Sequence, residues 1–375
     1  MQAIVLGLYL PIVGMELFVF AIAVREGMLN AFRQWAWPLF PTGALLVLVA
    51  VAVGTAITAP NPGAARITTF FWLSHLAFGF SVAFLFASRF QVLDLFAAYL
   101  AGFALFILGT ALFAARVTDP DFDWVHRWPA VTHIRHFGYY AAAMIGMGIG
   151  FASVERRKTV LAVLFVFAVA SFTFVFWTGS RGAILAVVGT LLISILLMPA
   201  VRRAIVWSGT LIALGFGAAI TSFLPVWDPL MGVGRAVTQT VSSGDVSTGR
   251  IDLWLGVLNA IWKRPIFGYG ENQMSTVAPF SDLGQTHEVF LQILLAWGFV
   301  GLACVAVLGI WFLIRSLPVV RKNQGALLPP FMAMTALGVL SLYDGALFHV
   351  VPVSIFAACA GMIASAWHDP EKRAP

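Results

Sequence analysis

The sequence predicts an all-α protein that crosses a membrane about eleven or twelve times and carries one long loop on the outer side. Composition is the first reason, because 61% of the 375 residues are hydrophobic and only 10% are charged. Soluble domains contain about 25% charged residues, so the water-soluble globular classes are excluded. The other two reasons are the apolar runs of bilayer-spanning length that recur along the chain and a single long polar interval between two of them.

The apolar windows divide the chain into three parts. We expect a bundle of about eight helices in residues 1–224, a loop in residues 225–286, and about three further helices in residues 287–375. The abundant Phe and Trp residues suit a bundle that packs in lipid and is anchored at two interfaces. The windows lie at 3–24, 38–58, 67–87, 92–115, 134–152, 159–177, 182–198, 204–224, 287–314, 326–343 and 346–367.

The basic residues predict which side of the membrane the loops occupy. The run Glu155-Arg156-Arg157-Lys158 and the basic C-terminus mark the cytoplasmic side. The long loop then lies on the outer side of the membrane. A net charge of +6 does not indicate nucleic acid as a partner, because the sequence has no long basic run that could contact a phosphate backbone along its length.

Several basic residues nevertheless fall on the outer side, against the usual bias. Arginines at an interface suit bidentate capture of phosphate oxygens. The alternative is that they only solubilise loops or contact lipid headgroups. The residues are Arg127, Arg135, Arg181, Arg235, Arg250, Lys263 and Arg264.

Residues 250–263 of the long loop predict an amphipathic helix. Ile251, Trp254, Leu255 and Leu258 recur at helical spacing and would rest on the membrane surface, and Trp254 shares a face with Arg250, four residues away. We expect the helix to be a lid that delivers Arg250 inward. Pro265 ends it, and the glycines of Gly268-Tyr-Gly270 would turn the chain back and act as a hinge.

Two shorter motifs flank this loop. Thr178-Gly-Ser-Arg-Gly182 joins two spans with almost no linker and would fix Arg181 at the end of a helix. The alternative is an ordinary connecting turn.

His287 enters the ninth span at the end of the loop, where a neutral imidazole would accept a proton from a sugar hydroxyl. A lone histidine at a helix start is more often structural, and this remains the alternative.

Together these motifs resemble the O-antigen ligase and O-antigen polymerase superfamily. The resemblance rests on Ser180-Arg181-Gly182, on Thr-Gly-Arg250 followed by Trp254, on Gly268-Tyr-Gly270, and on His287 with Leu291 and Gly298 following it. It implies a GT-C-like membrane glycosyltransferase that uses a polyprenyl-diphosphate-linked glycan and needs no cofactor or metal. It also implies that His287 is the base and that arginines hold the diphosphate.

The resemblance carries these roles onto individual residues. Arg181 and Arg250 would bind the diphosphate, with Arg135 or Arg264 assisting and Trp254 supporting. Glu288 stands where the family often has Asn, and we expect it to orient His287 or to raise its basicity. His136, in His133-Ile-Arg-His136, is a second candidate near the diphosphate; an interfacial belt with Tyr139 and Tyr140 is the alternative.

Three carboxylates at alternate positions, Asp119, Asp121 and Asp123, could bind a divalent cation. The simpler interpretation is that they are solvated loop acids.

The expected reaction is an inverting glycosyl transfer to an acceptor hydroxyl. Lipid A core is the favoured acceptor, with a growing glycan chain or a protein side chain as alternatives. A transporter or flippase is the alternative class, for which the acids in or beside apolar runs, Glu16, Asp94 and Asp344, are the best indication.

Overall fold

The computed structural model describes residues 2–34, 38–86, 92–129, 131–229, 231–232, 234, 250–278 and 285–367. Within these ranges the regular secondary structure is all helical, with no strand, and each predicted apolar window coincides with a helix. The α-helices are α1 (Gln2–Arg25), α2 (Met28–Gln34), α3 (Leu39–Thr58), α4 (Pro62–Phe86), α5 (Val92–Ala114), α6 (His136–Val154), α7 (Lys158–Trp177), α8 (Arg181–Leu197), α9 (Ala200–Thr221), α10 (Arg250–Ile261), α11 (Met274–Val277), α12 (Val289–Lys322), α13 (Gln324–Ser341) and α14 (Val350–Ser365), with a 3₁₀ turn at Ala346–Phe348.

The predicted fold class, a polytopic helical membrane protein, is confirmed. Among the described residues, seven helices are long and apolar enough to cross a bilayer: α3, α4, α6, α7, α9, α12 and α13. The end of the bundle that carries the long loop is called the loop side below. Residues 235–249, which include Arg235 and the Ser-Thr-Gly that precedes Arg250, lie outside the described part of the chain.

Helix α6 is the buried centre of the bundle and packs against α7, α8 and α13. Its contact with α13 depends on glycines, because a Cβ atom on Gly146 would lie 2.6 Å from the carbonyl oxygen of Met332. A Cβ on Gly150 would collide with Pro329. Small residues let membrane helices approach closely and gain van der Waals contact. This packing fixes the loop-side end of α6, where Arg135 and His136 lie.

Helix α12 is broken at Gly298, and the long loop fills the break. Gly298 has φ 64° and ψ −165°, a conformation essentially restricted to glycine. The amide groups of Phe299 and Val300 donate to the carbonyl oxygens of Pro265 and Ile266, at 2.8 and 3.1 Å. These bonds pair backbone groups that would find no hydrogen-bond partner in lipid.

The same loop segment also donates to α12 from the other side of the break. Tyr269 N–H bonds to Leu295 O at 2.9 Å, and Gly270 N–H bonds to Ala296 O at 2.8 Å. The expected hinge at Pro265 and Gly268-Tyr-Gly270 is therefore wrong, because this segment is bonded to α12 along its length. It anchors the loop to the bundle.

A second anchor holds the loop to the connection between α3 and α4. The side chain of Gln273 is fully buried; its Oε1 accepts from Asn61 N–H at 2.8 Å and its Nε2 donates to Asn61 O at 3.1 Å. A buried amide that satisfies the backbone on both sides holds the two segments in register. The segment after α10 is thus fixed to two different parts of the bundle.

Helix α10 is amphipathic as predicted, but a different apolar face packs on the protein. Leu253, Val257, Ala260 and Ile261 are buried. Four other apolar residues form an exposed stripe with Asp252 and Asn259 beside it, whereas at 100° per residue Arg250 lies on the buried face. The exposed stripe consists of Ile251, Leu255, Leu258 and Trp262, which are 56%, 56%, 36% and 68% exposed.

We predict that Gly298→Ala destabilises the protein by about 2–4 kcal/mol, because a side chain cannot adopt this conformation and its Cβ would collide with the Ile266 carbonyl oxygen. Thermal unfolding of the purified protein in detergent measures the effect. Gly309→Ala is the matched control, since a Cβ on Gly309 of the same helix meets nothing within 4 Å. Equal melting temperatures for the two variants would contradict the interpretation of the break.

Candidate functional site

Five charged or titratable side chains meet at the loop side of the bundle. They come from the ends of four helices and from the turn between α13 and α14, so only the folded bundle brings them together. We call them the loop-side cluster: Arg135, Arg181, Arg250, His287 and Asp344.

Asp344 is at the centre of this cluster. Its Oδ1 lies 3.1 Å from Nδ1 of His287, and only 7% of its side chain is exposed, against 14% for His287. Its own turn fixes the carboxylate, because Gly345 N–H also donates to Oδ1 at 2.9 Å. Burial alone would raise the pKa of Asp344, but the hydrogen bond from His287 and the charge of Arg250 hold it well below its usual value. Asp344 is therefore ionised at neutral pH.

Helix α10 delivers Arg250 to the same carboxylate. One Nη of Arg250 donates to the carbonyl oxygen of Tyr343, and the other lies 3.5 Å from Oδ2 of Asp344. Trp254, one turn further on, donates from Nε1 to the carbonyl oxygen of Thr286 at 3.0 Å. The buried face of α10 thus fixes Arg250 against the α13–α14 turn and Trp254 against the residue that precedes His287.

Arg135 and Arg181 complete the positive side of the cluster. Arg135 lies at the start of α6, and its Nε donates to the ring of His133. Burial lowers the pKa of Arg135, and the charges of Arg250 and Arg181 act on it in the same direction. Arg181 is the first residue of α8, after Gly179 in the left-handed conformation at φ 64°. Three arginines and one carboxylate give the cluster a surplus of two positive charges.

Two histidines border the cluster. The rings of His136 and His349 are 3.8 Å apart between centroids, and Gln285 bonds to Nε2 of His349 at 3.0 Å. Burial lowers the pKa of His349 to about 4, so that at pH 7 it is an uncharged hydrogen-bonding group. His136 therefore lies beside the cluster, in contact with His349.

Glu288 does not have the position expected of it. Its carboxylate caps α12 and accepts from the amides of Phe290 and Leu291, at 3.0 and 2.6 Å. Asp344 orients His287 instead. Sequence reasoning noted Asp344 only as an acid between the last two spans, because the 57 residues that separate it from His287 hide their contact.

Arg264 also lies away from the cluster. Its guanidinium is 5.0 Å from the ring centroid of Tyr269. It lies three residues beyond the end of α10, and a helical rise of about 1.5 Å per residue separates the two ends of α10 by roughly 17 Å. The expectation that Arg264 assists at the diphosphate is therefore wrong for this conformation.

The acids of the α5–α6 connection bond to their own backbone. Asp119 accepts from Asp121 N–H at 3.0 Å, and Asp123 accepts from the amides of Val125 and His126 at 2.9 Å each. Across the described residues no group of three or more His, Cys, Asp or Glu side chains is arranged to hold a metal ion. These carboxylates organise a loop.

Comparison with known families agrees with the motifs. A family model described as O-Antigen ligase matches residues 164–306, from α7 into α12. The match supports the O-antigen ligase and polymerase superfamily, a group of glycosyltransferase-like membrane proteins. Arg181, Arg250 and His287 lie within the matched residues, whereas Arg135 and Asp344 lie outside them. No curated protein gave a significant match.

We predict that Asp344→Asn loosens α10, because the substitution leaves the largely buried guanidinium of Arg250 without its counter-charge. Amide hydrogen exchange in residues 250–261 should become about tenfold faster, since one lost buried interaction is worth at least about 1.4 kcal/mol. Asp252→Asn is the control, as Asp252 is an exposed acid on the same helix. Unchanged exchange in Asp344→Asn would show that Asp344 does not hold the helix.

Proposed function

We propose that this O-antigen ligase-like membrane protein transfers a glycan from a polyprenyl diphosphate to an acceptor hydroxyl, with inversion at the anomeric carbon. The observation that carries the proposal is the pairing of His287 with a buried, ionised Asp344 that also pairs with Arg250, with the charges of Arg135 and Arg181 close by. A histidine held by a carboxylate beside an anion-binding surface is the arrangement that base-assisted displacement of a phosphate leaving group needs.

The charge of the cluster suits a diphosphate that is esterified at both ends. Such a group carries one negative charge on each phosphate, which matches the surplus of two positive charges from Arg135, Arg181 and Arg250 with Asp344. Negative charge grows on the diphosphate as its bond to the sugar breaks, and arginines that are already in place stabilise that charge without reorganising. Their partial burial strengthens the effect.

His287 is the proposed base. Its Nδ1 is committed to Asp344, so Nε2 is the nitrogen left to accept the proton of the acceptor hydroxyl. As that proton moves, the hydroxyl oxygen bonds to the anomeric carbon and the bond from carbon to the diphosphate breaks, with its electron pair leaving on the diphosphate. Asp344 holds the ring in the required tautomer and stabilises the imidazolium that forms.

The exposed stripe of α10 supports entry of a lipid-linked donor from the bilayer. Ile251 and Leu255 are both 56% exposed and directly follow Arg250 along the helix. An apolar stripe next to an anion-binding residue suits a ligand with an isoprenoid chain on one side and a diphosphate on the other. We place the reaction on the outer, periplasmic face of a bacterial inner membrane, where undecaprenyl-diphosphate-linked glycans would be the donors.

Lipid A core is the acceptor that we favour, which would make the protein a ligase of lipopolysaccharide biosynthesis. Within the same superfamily, a polymerase would use the end of a growing glycan chain and a protein O-glycosyltransferase a side-chain hydroxyl. All three acceptors supply an alcohol to His287. The proposed chemistry of the loop-side cluster is the same for all three acceptors.

The alternative of a transporter or flippase has less support. Such proteins place charges near the bilayer midplane at broken helices, whereas the break in α12 is filled by the backbone of residues 265–270. Glu16 is buried in the bundle, but its carboxylate already bonds to His75 at 2.8 Å and to the hydroxyls of Ser74 and Ser354. Asp94 is exposed in the first turn of α5.

We predict that His287→Ala and Arg250→Ala each reduce glycan transfer at least about 100-fold, the size expected from losing a general base or a charge-stabilising donor. Transfer is measured in membranes at matched expression, with lipid-linked donor added. Arg264→Ala, which removes an arginine from the other end of the same loop segment, should stay within about threefold of the unaltered protein. Full activity in both cluster variants would contradict the roles proposed for His287 and Arg250.

The acceptor is decided by the glycans of a deletion strain. For a ligase we expect lipid A core without polymer, together with polymer that accumulates on the polyprenyl carrier. Single repeat units attached to lipid A core would identify a polymerase instead, and loss of glycan from protein alone would identify a protein glycosyltransferase. Electrophoresis of lipopolysaccharide and mass spectrometry of glycoproteins separate these outcomes.

A further inference from the structure

Two indole rings form a flat shelf on the loop side, outside the loop-side cluster. Trp124, from the α5–α6 connection, stacks on Trp227, which follows α9; the ring centroids are 3.9 Å apart and the planes differ by 21°. Trp124 is half-buried and Trp227 is 37% exposed. We call this pair the indole shelf.

The structure holds the indole shelf rigidly in place. Trp128 beneath it is almost fully buried. Trp177, at the end of α7, donates from Nε1 to Pro225 O at 2.9 Å and accepts from Gly232 N–H at 2.8 Å, which ties the segment around Trp227 to the bundle. Large aromatic side chains need this much support only where their orientation matters or where they fill a core. The exposed part of Trp227 fills no core.

The surroundings of the shelf combine acids with apolar side chains, since Phe223 and Val226, just before Trp227, are 88% and 53% exposed. The acids favour a ligand with hydroxyl groups. Each indole has an acid as its sequence neighbour, Asp123 beside Trp124 and Asp228 beside Trp227. The Asp123 side chain is 44% exposed and pairs with the exposed ring of His126 at 3.1 Å. Carboxylates are costly in hydrocarbon and are repelled by anionic headgroups. Sugar rings, in contrast, present an apolar face to an aromatic plane and hydroxyl donors to carboxylates.

A row of side chains connects the shelf to the loop-side cluster. The ring of His126 lies 5.0 Å from that of His133, which in turn accepts from Nε of Arg135. Trp124 precedes His126 by two residues, a reach of at most about 7 Å, so the shelf and Arg135 are separated by on the order of 15 Å, a span of a few sugar units. A glycan whose diphosphate lies at Arg135 therefore reaches the shelf.

We propose that Trp124 and Trp227 bind a pyranose ring of the donor glycan, a few units from the diphosphate. The proposal rests on the proposed function for the identity of the ligand as a glycan. It assigns the α5–α6 connection, which lies outside the matched family residues, the role of recognising sugar. It predicts that binding depends on the exposed face of Trp227 and not on the base His287.

The test is binding of delipidated polysaccharide, released by mild acid from the envelope glycan of the cells that make the protein. Saturation-transfer NMR on the full-length protein in nanodiscs measures it. We expect sugar signals with the unaltered protein, affinity about tenfold weaker in Trp227→Ala, and an intermediate value in Trp227→Phe. Trp262→Ala, which removes another exposed indole from the loop side, should bind as the unaltered protein does.

The experiment separates this proposal from the function it rests on. His287→Ala should lose transfer and keep binding; if it keeps transfer as well, the proposed base is wrong while the shelf stands. No binding by the unaltered protein, or equal binding by Trp227→Ala, overturns the shelf. Quenching by brominated lipid that disappears in Trp227→Ala would identify the indole as a bilayer anchor and would overturn it as well.

Discussion

The arrangement of the loop side follows from one buried carboxylate, which must be paired. Asp344 has only 7% of its side chain exposed and lies within 3.5 Å of both Arg250 and His287. An ionised group at this depth is stable only when opposite charges and donors surround it. That requirement joins the α13–α14 turn, the start of α12 and the helix of the long loop into one unit.

A second requirement, the pairing of backbone groups in lipid, makes the long loop part of the bundle. Gly298 breaks α12, and the loop segment after Pro265 supplies the hydrogen bonds that the break removes. Because irregular backbone at membrane depth is tolerated only when its polar groups are satisfied, the loop cannot lift away without exposing them. These bonds hold the segment that follows α10, and with it the helix that carries Arg250 and Trp254, against the bundle.

The matched family residues and the site do not coincide. Residues 164–306 hold Arg181, Arg250 and His287, whereas Arg135 and Asp344 come from α6 and from the α13–α14 turn outside them. The elements on either side therefore complete the loop-side cluster that the matched segment begins. The indole shelf is divided in the same way, because Trp124 lies outside the matched residues and Trp227 lies within them.

The sequence by itself determined the fold class, the position of each span, and the residues at the two ends of the loop, because bilayer length and helical periodicity are local properties of the chain. It proposed His287, Arg250 and Arg181 as site residues for the same reason, since each belongs to a short motif. The tertiary structure decided which acid meets His287, that Glu288 caps a helix, that Arg264 points elsewhere, and that the supposed hinge is an anchor. Those facts depend on contacts between residues far apart in sequence, such as the 57 positions between His287 and Asp344, and no local pattern encodes them.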